Sequence, residues 1–378
     1  MRVFLIAGEP SGDALGGALM AALKSLQPDI SFDGVGGPAM QAHGLDSRFE
    51  MSELSVMGIA EVLPKYRHLK RRICEMADAV ITTKPDVLIT IDAPDFSLRV
   101  AKLVKAASDV RTVHYVAPSV WAWRPKRAEK MARCIDHVLA LLPFEPPYME
   151  AAGMDCDFVG HPIVSEPVAS RDEAQAFKVQ LGVDDADPLV LVLPGSRKSE
   201  VSRLAPIFGQ TLDLLAKDRN GLRAVMVVAP NVAPLVTEMI ADWPVKPVTV
   251  NGADAGAKRA AFAAADVALA ASGTVALELA ANAVPMVIGY KMKALSHWII
   301  SRMALIDSVN LVNIVTDTRH VPECLGPGCT PAALSHAMAQ VLQDPSAQKR
   351  VMAQMMQSLG QGDEPPQMRD ARAVLSRM

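Results

Sequence analysis

Residues 265–292 read ADVALAASGTVALELAANAVPMVIGYKM. A short apolar run, Val267–Ala270, leads into Ser272-Gly273-Thr274. An alanine- and leucine-rich stretch, Val275–Ala283, follows, and a second apolar run occupies Met286–Ile288. Apolar runs of strand length that alternate with helix-length segments indicate parallel strands buried on both faces, each joined to the next by a crossover helix. The same alternation extends through the chain. Strands are expected at Val3–Ala7, Val87–Ile91, Thr112–Val116, Val138–Leu142, Phe158–Val159, Val190–Leu193 and Ala224–Val228, with helices such as Ala14–Leu26 and Leu98–Ala107 between them. The fold class is α/β.

A chain of 378 residues suits two domains of roughly 150–200 residues each. The break is expected near Pro162–Ala186, where a polar stretch precedes PLVLVLPGSRKSEV (188–201). That stretch opens the second half much as MRVFLIAGEPSGDALGGAL (1–19) opens the first. The economical architecture is two Rossmann-like domains facing a cleft, residues 1–165 and 166–345. Residues 346–378 then form C-terminal helices, and whether these cross back to the first domain is left open.

Half of the residues are hydrophobic, 21% are charged, and the formal net charge is -3. There is no global basic field to attract nucleic acid. The five cysteines are scattered, as in a reducing compartment. The N-terminal apolar run is too short for a signal peptide, and no run of 18 predominantly apolar residues occurs. The expectation is a cytoplasmic protein without a membrane span.

Four loops could carry chemistry. The opening loop has the spacing G-x-x-x-G-x-x-x-G-G, which is neither a dinucleotide loop nor a P-loop, and Glu9 and Asp13 place negative charge where a phosphate would sit. Either Glu9 and the backbone of Pro10–Asp13, including Ser11 and Gly12, line a polar ligand site, or this is a tight turn with Ser11 as helix cap. In PDVLITIDAPDFSLRV (85–100), Asp92 emerges from an apolar strand into a turn. A carboxylate there is costly unless paired or functional, so Asp92 is a candidate general base and Asp95 the better helix cap. In LPGSRKSEV (193–201), Arg197 and Lys198 stand at a helix start, where cations are unfavourable unless an anion also binds. Ser272-Gly273-Thr274 offers backbone N–H groups to an anion, and Glu278, one turn further, could accept bonds from ribose hydroxyls. This arrangement suits a nucleotide sugar better than a dehydrogenase cofactor.

Other features read as structure. His161 before proline is expected to be a hydrogen-bonding residue, Trp121 and Trp123 to pack, and the D-x-D of Asp155-Cys156-Asp157 to hold no metal. The segment SVMGIAEVLPKYRHLKRRI (55–73) pairs apolar residues, Val56, Met57, Val62 and Leu63, with basic ones, Arg67 and Arg71 among them. It suits either an anionic membrane surface or a packed helix with a solvated basic face.

AGEPSGD, GVGGPAMQAHG, SVMGIAEVLP, PDVLITIDAPDF, HYVAPSVWAWRPKR, LPFEPPYME, FVGHP, LPGSRKSEV, ASGTVALE and GYKM occur in that order from residue 3 to about 315. Together they resemble the lipid-A-disaccharide synthase family. The resemblance implies an inverting, metal-independent GT-B glycosyltransferase without cofactor. It would join a UDP-2,3-diacylglucosamine donor to an acylated glucosamine 1-phosphate acceptor at the inner face of the cytoplasmic membrane, as a peripheral protein; the resemblance also admits a homodimer. A GT-B transferase using UDP-N-acetylglucosamine and another lipid-linked acceptor is the alternative. Carried over by motif, Asp92 is the base, Glu9 lines the active site, Arg197 meets donor phosphate, and Ser272, Gly273, Thr274 and Glu278 surround the UDP. Asn313 is a further candidate, although Val312 stands where the family tends to have proline. Because both substrates are acylated, the resemblance also favours membrane or acyl contact at 56–76.

Overall fold

A computed structural model describes residues 1–54, 59–184, 187–219, 221–291 and 305–378, with 59–65 described as backbone. Val56 and Met57, and the side chains of Val62 and Leu63, therefore lie outside the described residues. The chain divides into two units, Met1–Ser165 with Gly362–Met378, and Glu166–Gln361.

The first unit contains β1 (Arg2–Ala7), β2 (Ser31–Val35), β3 (Val87–Ile91), β4 (Arg111–Tyr115), β5 (His137–Ala140) and β6 (Asp155–Phe158). Its helices are α1 (Pro10–Leu26), α2 (Pro38–Ala42), α3 (Ile59–Thr83), α4 (Pro94–Ala107), α5 (Lys126–Met131) and α6 (Pro146–Glu150). The second unit contains β7 (Leu189–Leu193), β8 (Arg223–Val228), β9 (Val248–Asn251), β10 (Val267–Ala271), β11 (Met286–Tyr290) and β12 (Glu323–Leu325). Its helices are α7 (Arg171–Gln180), α8 (Lys198–Asp218), α9 (Ala233–Ile240), α10 (Ala255–Ala264), α11 (Val275–Ala281), α12 (Leu311–Thr316), α13 (Pro331–Gln343) and α14 (Ser346–Ser358). The last helix, α15 (Pro366–Ser376), belongs to the first unit.

Both sheets are parallel, in the orders β2-β1-β3-β4-β5-β6 and β12-β11-β10-β7-β8-β9. Side chains alternate across a strand, so a strand covered on both faces reads as a near-continuous apolar run. Val3, Leu5 and Ala7 accordingly pack with Leu19 and Leu23 of α1, Met40 of α2 and Val374 of α15. Phe4 and Ile6 point the other way, into a core with Met76 of α3 and Val100 of α4. In the second unit, Val190 and Val192 pack beneath Leu204 and Phe208 of α8 and Met338 of α13.

Two features of the opening loop serve packing. A side chain at Gly17 would come within 3.0 Å of the Ala39 backbone, so α1 can lie this close to α2 only with glycine there. Buried Asp13 accepts hydrogen bonds from the amides of Gly37 (2.8 Å), Ala39 (2.9 Å) and Met40 (3.0 Å), and thereby caps α2. The two expected caps differ from those observed. Residue Glu9 occupies the N-cap position of α1 and Ala93 that of α4, leaving Ser11 and Asp95 in the first turns. Both helices begin with proline, and its ring fixes the first helical residue one position early.

The expected boundary at 345/346 shifts. Helix α14 stays with the second unit because the Gln348 side chain pairs with the Met286 backbone in both directions, accepting from N (2.8 Å) and donating to O (3.0 Å). Helix α15 is bound to the first unit. Arg377 reaches Asp157 (2.7 Å) and Asp155 (3.2 Å), Arg369 donates to the Phe158 carbonyl (2.9 Å), and Tyr115 donates its hydroxyl to Asp370. The D-x-D carboxylates are thus engaged by Arg377, by Arg111 (2.8 Å to Asp155) and by His137 (2.8 Å to Asp157).

Asp370 is 1% exposed, and its second oxygen has no hydrogen-bond partner among the described residues. Burial pushes this carboxyl up to about 8 from its ordinary 3.8, with Tyr115 and Arg369 opposing. A carboxyl with a raised folded pKa stabilises the fold at acidic pH, and that contribution is lost as pH rises from about 4 through 8. Asp370→Asn retains an acceptor for Tyr115 without the charge. Its melting temperature relative to wild type should therefore climb between about pH 6 and about pH 9, by at least about 2 °C; a constant difference across that range would contradict titration of Asp370 in the fold.

Candidate functional site

In each sheet the crossovers run first to one side and then to the other, and open α/β sheets bind ligands at the carboxyl ends of the strands where that reversal occurs. The reversal lies between β1 and β3 in the first unit and between β7 and β10 in the second. The loops leaving those four strands carry Glu9, Asp92, Arg197 and Ser272-Gly273-Thr274 respectively.

At the first reversal, Ala7 is in register with Ile91, which makes Gly8-Glu9 and Asp92-Ala93 adjacent strand exits. A side chain on Gly8 would meet Ala93 at 2.9 Å. Asp92 and Ala93 are consecutive non-glycine residues with φ of 49° and 45°. Such conformations cost about 1–3 kcal/mol each and persist only when their surroundings over-determine them. Here the Asp92 amide donates to the Tyr115 carbonyl (3.0 Å), buried Ser97 donates to the Asp92 carbonyl (2.9 Å), and the amides of Phe96 and Ser97 both donate to the Ala93 carbonyl (3.0 Å). The turn is held from three sides, and the half-buried Asp92 carboxylate stands at the sheet rim. Glu9 is half-buried and Ser11 exposed, whereas Gly12 is buried against Ile91.

The adjoining strand exits are braced by a residue that sequence reasoning missed. Buried Glu145 accepts from the Trp121 indole (3.2 Å) and from the Leu142 amide (3.0 Å), and Trp121 stacks edge-on against Phe144 at 5.0 Å. Burial raises the Glu145 carboxyl to about 7. Trp121 packs as expected, while Trp123 is 36% exposed with the Arg124 guanidinium 4.3 Å above its ring. His161 is a hydrogen-bonding residue, accepting from the Ile163 amide (3.1 Å), and burial lowers it to about 4.

At the second reversal a cavity of roughly 510 Å³ is lined by the expected Arg197, Ser272, Gly273, Thr274 and Glu278, and by Glu200, Lys258 and Phe262 among others. Gly195, at φ 107°, turns the chain from β7 into α8, with Arg197 at its N-cap. The exposed Arg197 guanidinium leans on Glu200 (3.1 Å). Lys258 forms an ion pair with Glu278 and lies 5.5 Å above the Phe262 ring. The Ser272 hydroxyl donates to the Val309 carbonyl (2.9 Å), which leaves its oxygen lone pairs and the neighbouring backbone for a ligand.

The basic face of α3 is divided. Arg72 is held by Glu53 (2.8 Å), Glu75 (2.8 Å) and the Phe49 ring (4.3 Å), and His68 also binds Glu53 (2.6 Å). Arg67, Lys70 and Arg71 remain exposed, Arg71 with a weaker contact to Glu75 (3.4 Å). No helix among the described residues is long and apolar enough to cross a membrane.

The family model for lipid-A-disaccharide synthetase matches residues 3–375. The chain belongs to the lipid-A-disaccharide synthase family. Lipid-A-disaccharide synthases from Ruegeria pomeroyi and Rhodospirillum centenum are 61% and 48% identical to it, each over all of this chain and 96% and 94% of their own lengths. Among solved structures, UDP-GlcNAc 2-epimerase from Neisseria meningitidis bound to UDP-GlcNAc aligns with a TM-score of 0.64 at 10% identity, over 100% of this chain and 99% of the other. Acinetobacter baumannii MurG aligns with a TM-score of 0.56 at 14% identity, over 100% and 99%. At these identities the structural neighbours establish the two-domain Rossmann-like fold of this synthase family member, and the full-length relatives establish its role in lipid A disaccharide synthesis.

One residue suggested by the family motifs sits away from both strand reversals. Asn313, on α12, is fully buried and donates to the Val321 carbonyl (2.9 Å) and Glu323 (3.2 Å), while its oxygen accepts from the Val321 amide (3.0 Å). Its partner Glu323 also accepts from Ser308 (2.7 Å) and the Val309 amide (2.8 Å), and Val309 in turn receives Ser272. Asn313 thus bears on the cavity through the segment that anchors Ser272. Asn313→Asp would set a carboxylate against Glu323 and the Val321 carbonyl. Loss of about 2–4 kcal/mol is expected, seen as a lower urea midpoint, whereas Ser272→Ala should shift that midpoint little.

Proposed function

We propose that this chain transfers a diacylglucosaminyl group from UDP-2,3-diacylglucosamine to the 6-hydroxyl of 2,3-diacylglucosamine 1-phosphate, giving a β(1→6)-linked disaccharide 1-phosphate and UDP. The observation that carries the reading is the full-length match to lipid-A-disaccharide synthases. The two strand reversals support it with suitable chemistry. Asp92 acts as general base, taking the acceptor hydroxyl proton as that oxygen attacks the anomeric carbon from the face opposite UDP; one in-line displacement inverts the configuration. Glu9, on the adjacent strand exit, binds the acceptor sugar with the start of α1, at Ser11 and Gly12. Arg197 exchanges its exposed contact with Glu200 for the donor diphosphate, whose charge grows as UDP departs. Ser272, Gly273 and Thr274 hold the nucleotide, Glu278 accepts from its ribose, and Asn313 acts through the Ser272 anchor. This assignment requires no metal. UDP-N-acetylglucosamine with another lipid acceptor is the less favoured donor pair, since the relatives are named for lipid A disaccharide synthesis.

Purified chain mixed with the two acylated substrates in detergent should release UDP and disaccharide. Asp92→Asn should lower turnover by about 10²–10⁴-fold and leave UDP binding intact. Absence of product from wild type under every detergent condition would overturn the reading, and an active Asp92→Asn would remove Asp92 from the base role.

Both substrates carry acyl chains, so the enzyme works as a peripheral protein on the inner face of the cytoplasmic membrane. The exposed Arg67 and Arg71 of α3 meet anionic headgroups, and in the sequence they follow the apolar residues Val56, Met57, Val62 and Leu63. Each basic residue at such a surface contributes about 1 kcal/mol. Reversing both charges, Arg67→Glu with Arg71→Glu, should release the protein from vesicles containing phosphatidylglycerol, as measured by co-sedimentation at low salt. Unchanged partitioning of the folded variant would rule this surface out.

A further inference from the structure

The cavity of the second unit is lined by two cations, Arg197 and Lys258, and two acids, Glu200 and Glu278, among the described residues. Each cation is paired with one acid, and the two pairs differ in kind. Arg197 and Glu200 are three residues apart, and the guanidinium is 66% exposed. Such a pair is weak, and a diphosphate offering bidentate hydrogen bonds can take the guanidinium from it. Lys258 and Glu278 instead join two separate helices, α10 and α11; both side chains are about two-thirds buried (33% and 29% exposed), and the ammonium also rests over the Phe262 ring. Ordering two elements through one ion pair fixes the direction in which the Glu278 carboxylate faces.

A carboxylate at this place presents a contradiction. Its two oxygens suit the vicinal hydroxyls of a ribose, but its charge repels the diphosphate of the same ligand. The same two charges reach Glu166, whose carboxyl is raised by burial and by Glu278 and lowered by Lys258. We propose that Lys258 is a positioning and specificity residue, which holds Glu278 as a hydroxyl acceptor while cancelling its charge toward the diphosphate, so that the cavity selects ribonucleoside over deoxyribonucleoside diphosphates. The proposal rests on the reading of this cavity as the donor site. It assigns Lys258 no direct contact with phosphate, which falls to Arg197.

Titration calorimetry of the full chain with UDP and with 2′-deoxy-UDP tests it. Lys258→Met should weaken UDP binding by at least about tenfold, and Glu278→Gln added to Lys258→Met should recover most of that loss, because the uncompensated charge is gone. The preference for UDP over 2′-deoxy-UDP, present in wild type, should fall close to one in both Lys258→Met and Glu278→Gln. Lys258→Arg, which keeps the charge and the reach, should retain it. A Lys258→Met protein that binds UDP as wild type does overturns the proposal. So does a double variant no better than Lys258→Met, since that result means the lysine meets phosphate itself. Should Lys258→Met fail to fold, loss of the preference in Lys258→Arg overturns it equally. A wild type that binds neither nucleotide overturns the donor-site reading and this proposal with it.

Discussion

A crossover between parallel strands must return along the length of the sheet, so within each sheet every strand releases its following loop at the same rim. Where successive crossovers leave in opposite directions, the two loops diverge and the rim between them stays open. Each unit has one such place, and each sets different chemistry there. The first exposes the acids of the β1 and β3 exits. The second exposes small-residue loops, one of them led by arginine, at the exits of β7 and β10. The strain stored at Asp92-Ala93 belongs to the same constraint, because a strand ending in a sharp left-handed turn presents its next side chain at the rim.

Carboxylates recur as the fasteners of these loops. Asp13 gathers the amides at the start of α2, Glu145 fixes the Trp121 loop to the exit of β5, and Glu323 suspends the segment that receives Ser272. A carboxylate accepts from several backbone donors at once, and those charge-assisted bonds are stronger than neutral ones. The opening loop shows the consequence for reading function from charge. Of its two acids, Asp13 is consumed in structure, and Glu9 keeps its side chain out of any helix-capping hydrogen bond.

What the sequence revealed depended on burial. Interior strands such as β1, β3, β7 and β10 are near-continuous apolar runs, interrupted only by Arg2 and Thr90, and were legible to within a residue or so. Strands β2, β9 and β12 left no apolar run, and β6 was legible only at its apolar end; all four are sheet edges, where one flank faces solvent. The candidate site divides along a similar line. Loop residues announced themselves through glycine, serine and strand-end position, as at Asp92, Arg197 and Ser272-Gly273-Thr274. Lys258 sits in an ordinary alanine-rich helix, and Glu145, although inside the LPFEPPYME motif, stands between prolines with nothing to mark its role. Their significance comes from partners far away in sequence, Glu278 and Trp121, and composition does not encode such pairings.

The return of α15 bears on how the chain is made. The face of the first sheet that carries Val3, Leu5 and Ala7 is completed by Ala371 and Val374, which are translated after the whole of the second unit. Synthesis therefore finishes the second unit while the first still shows an apolar strip, and α15 covers it afterwards. Biogenesis runs against the order of the sequence: the unit that begins first is completed after the second, and a chain that stops before α15 leaves that strip bare for chaperone or protease.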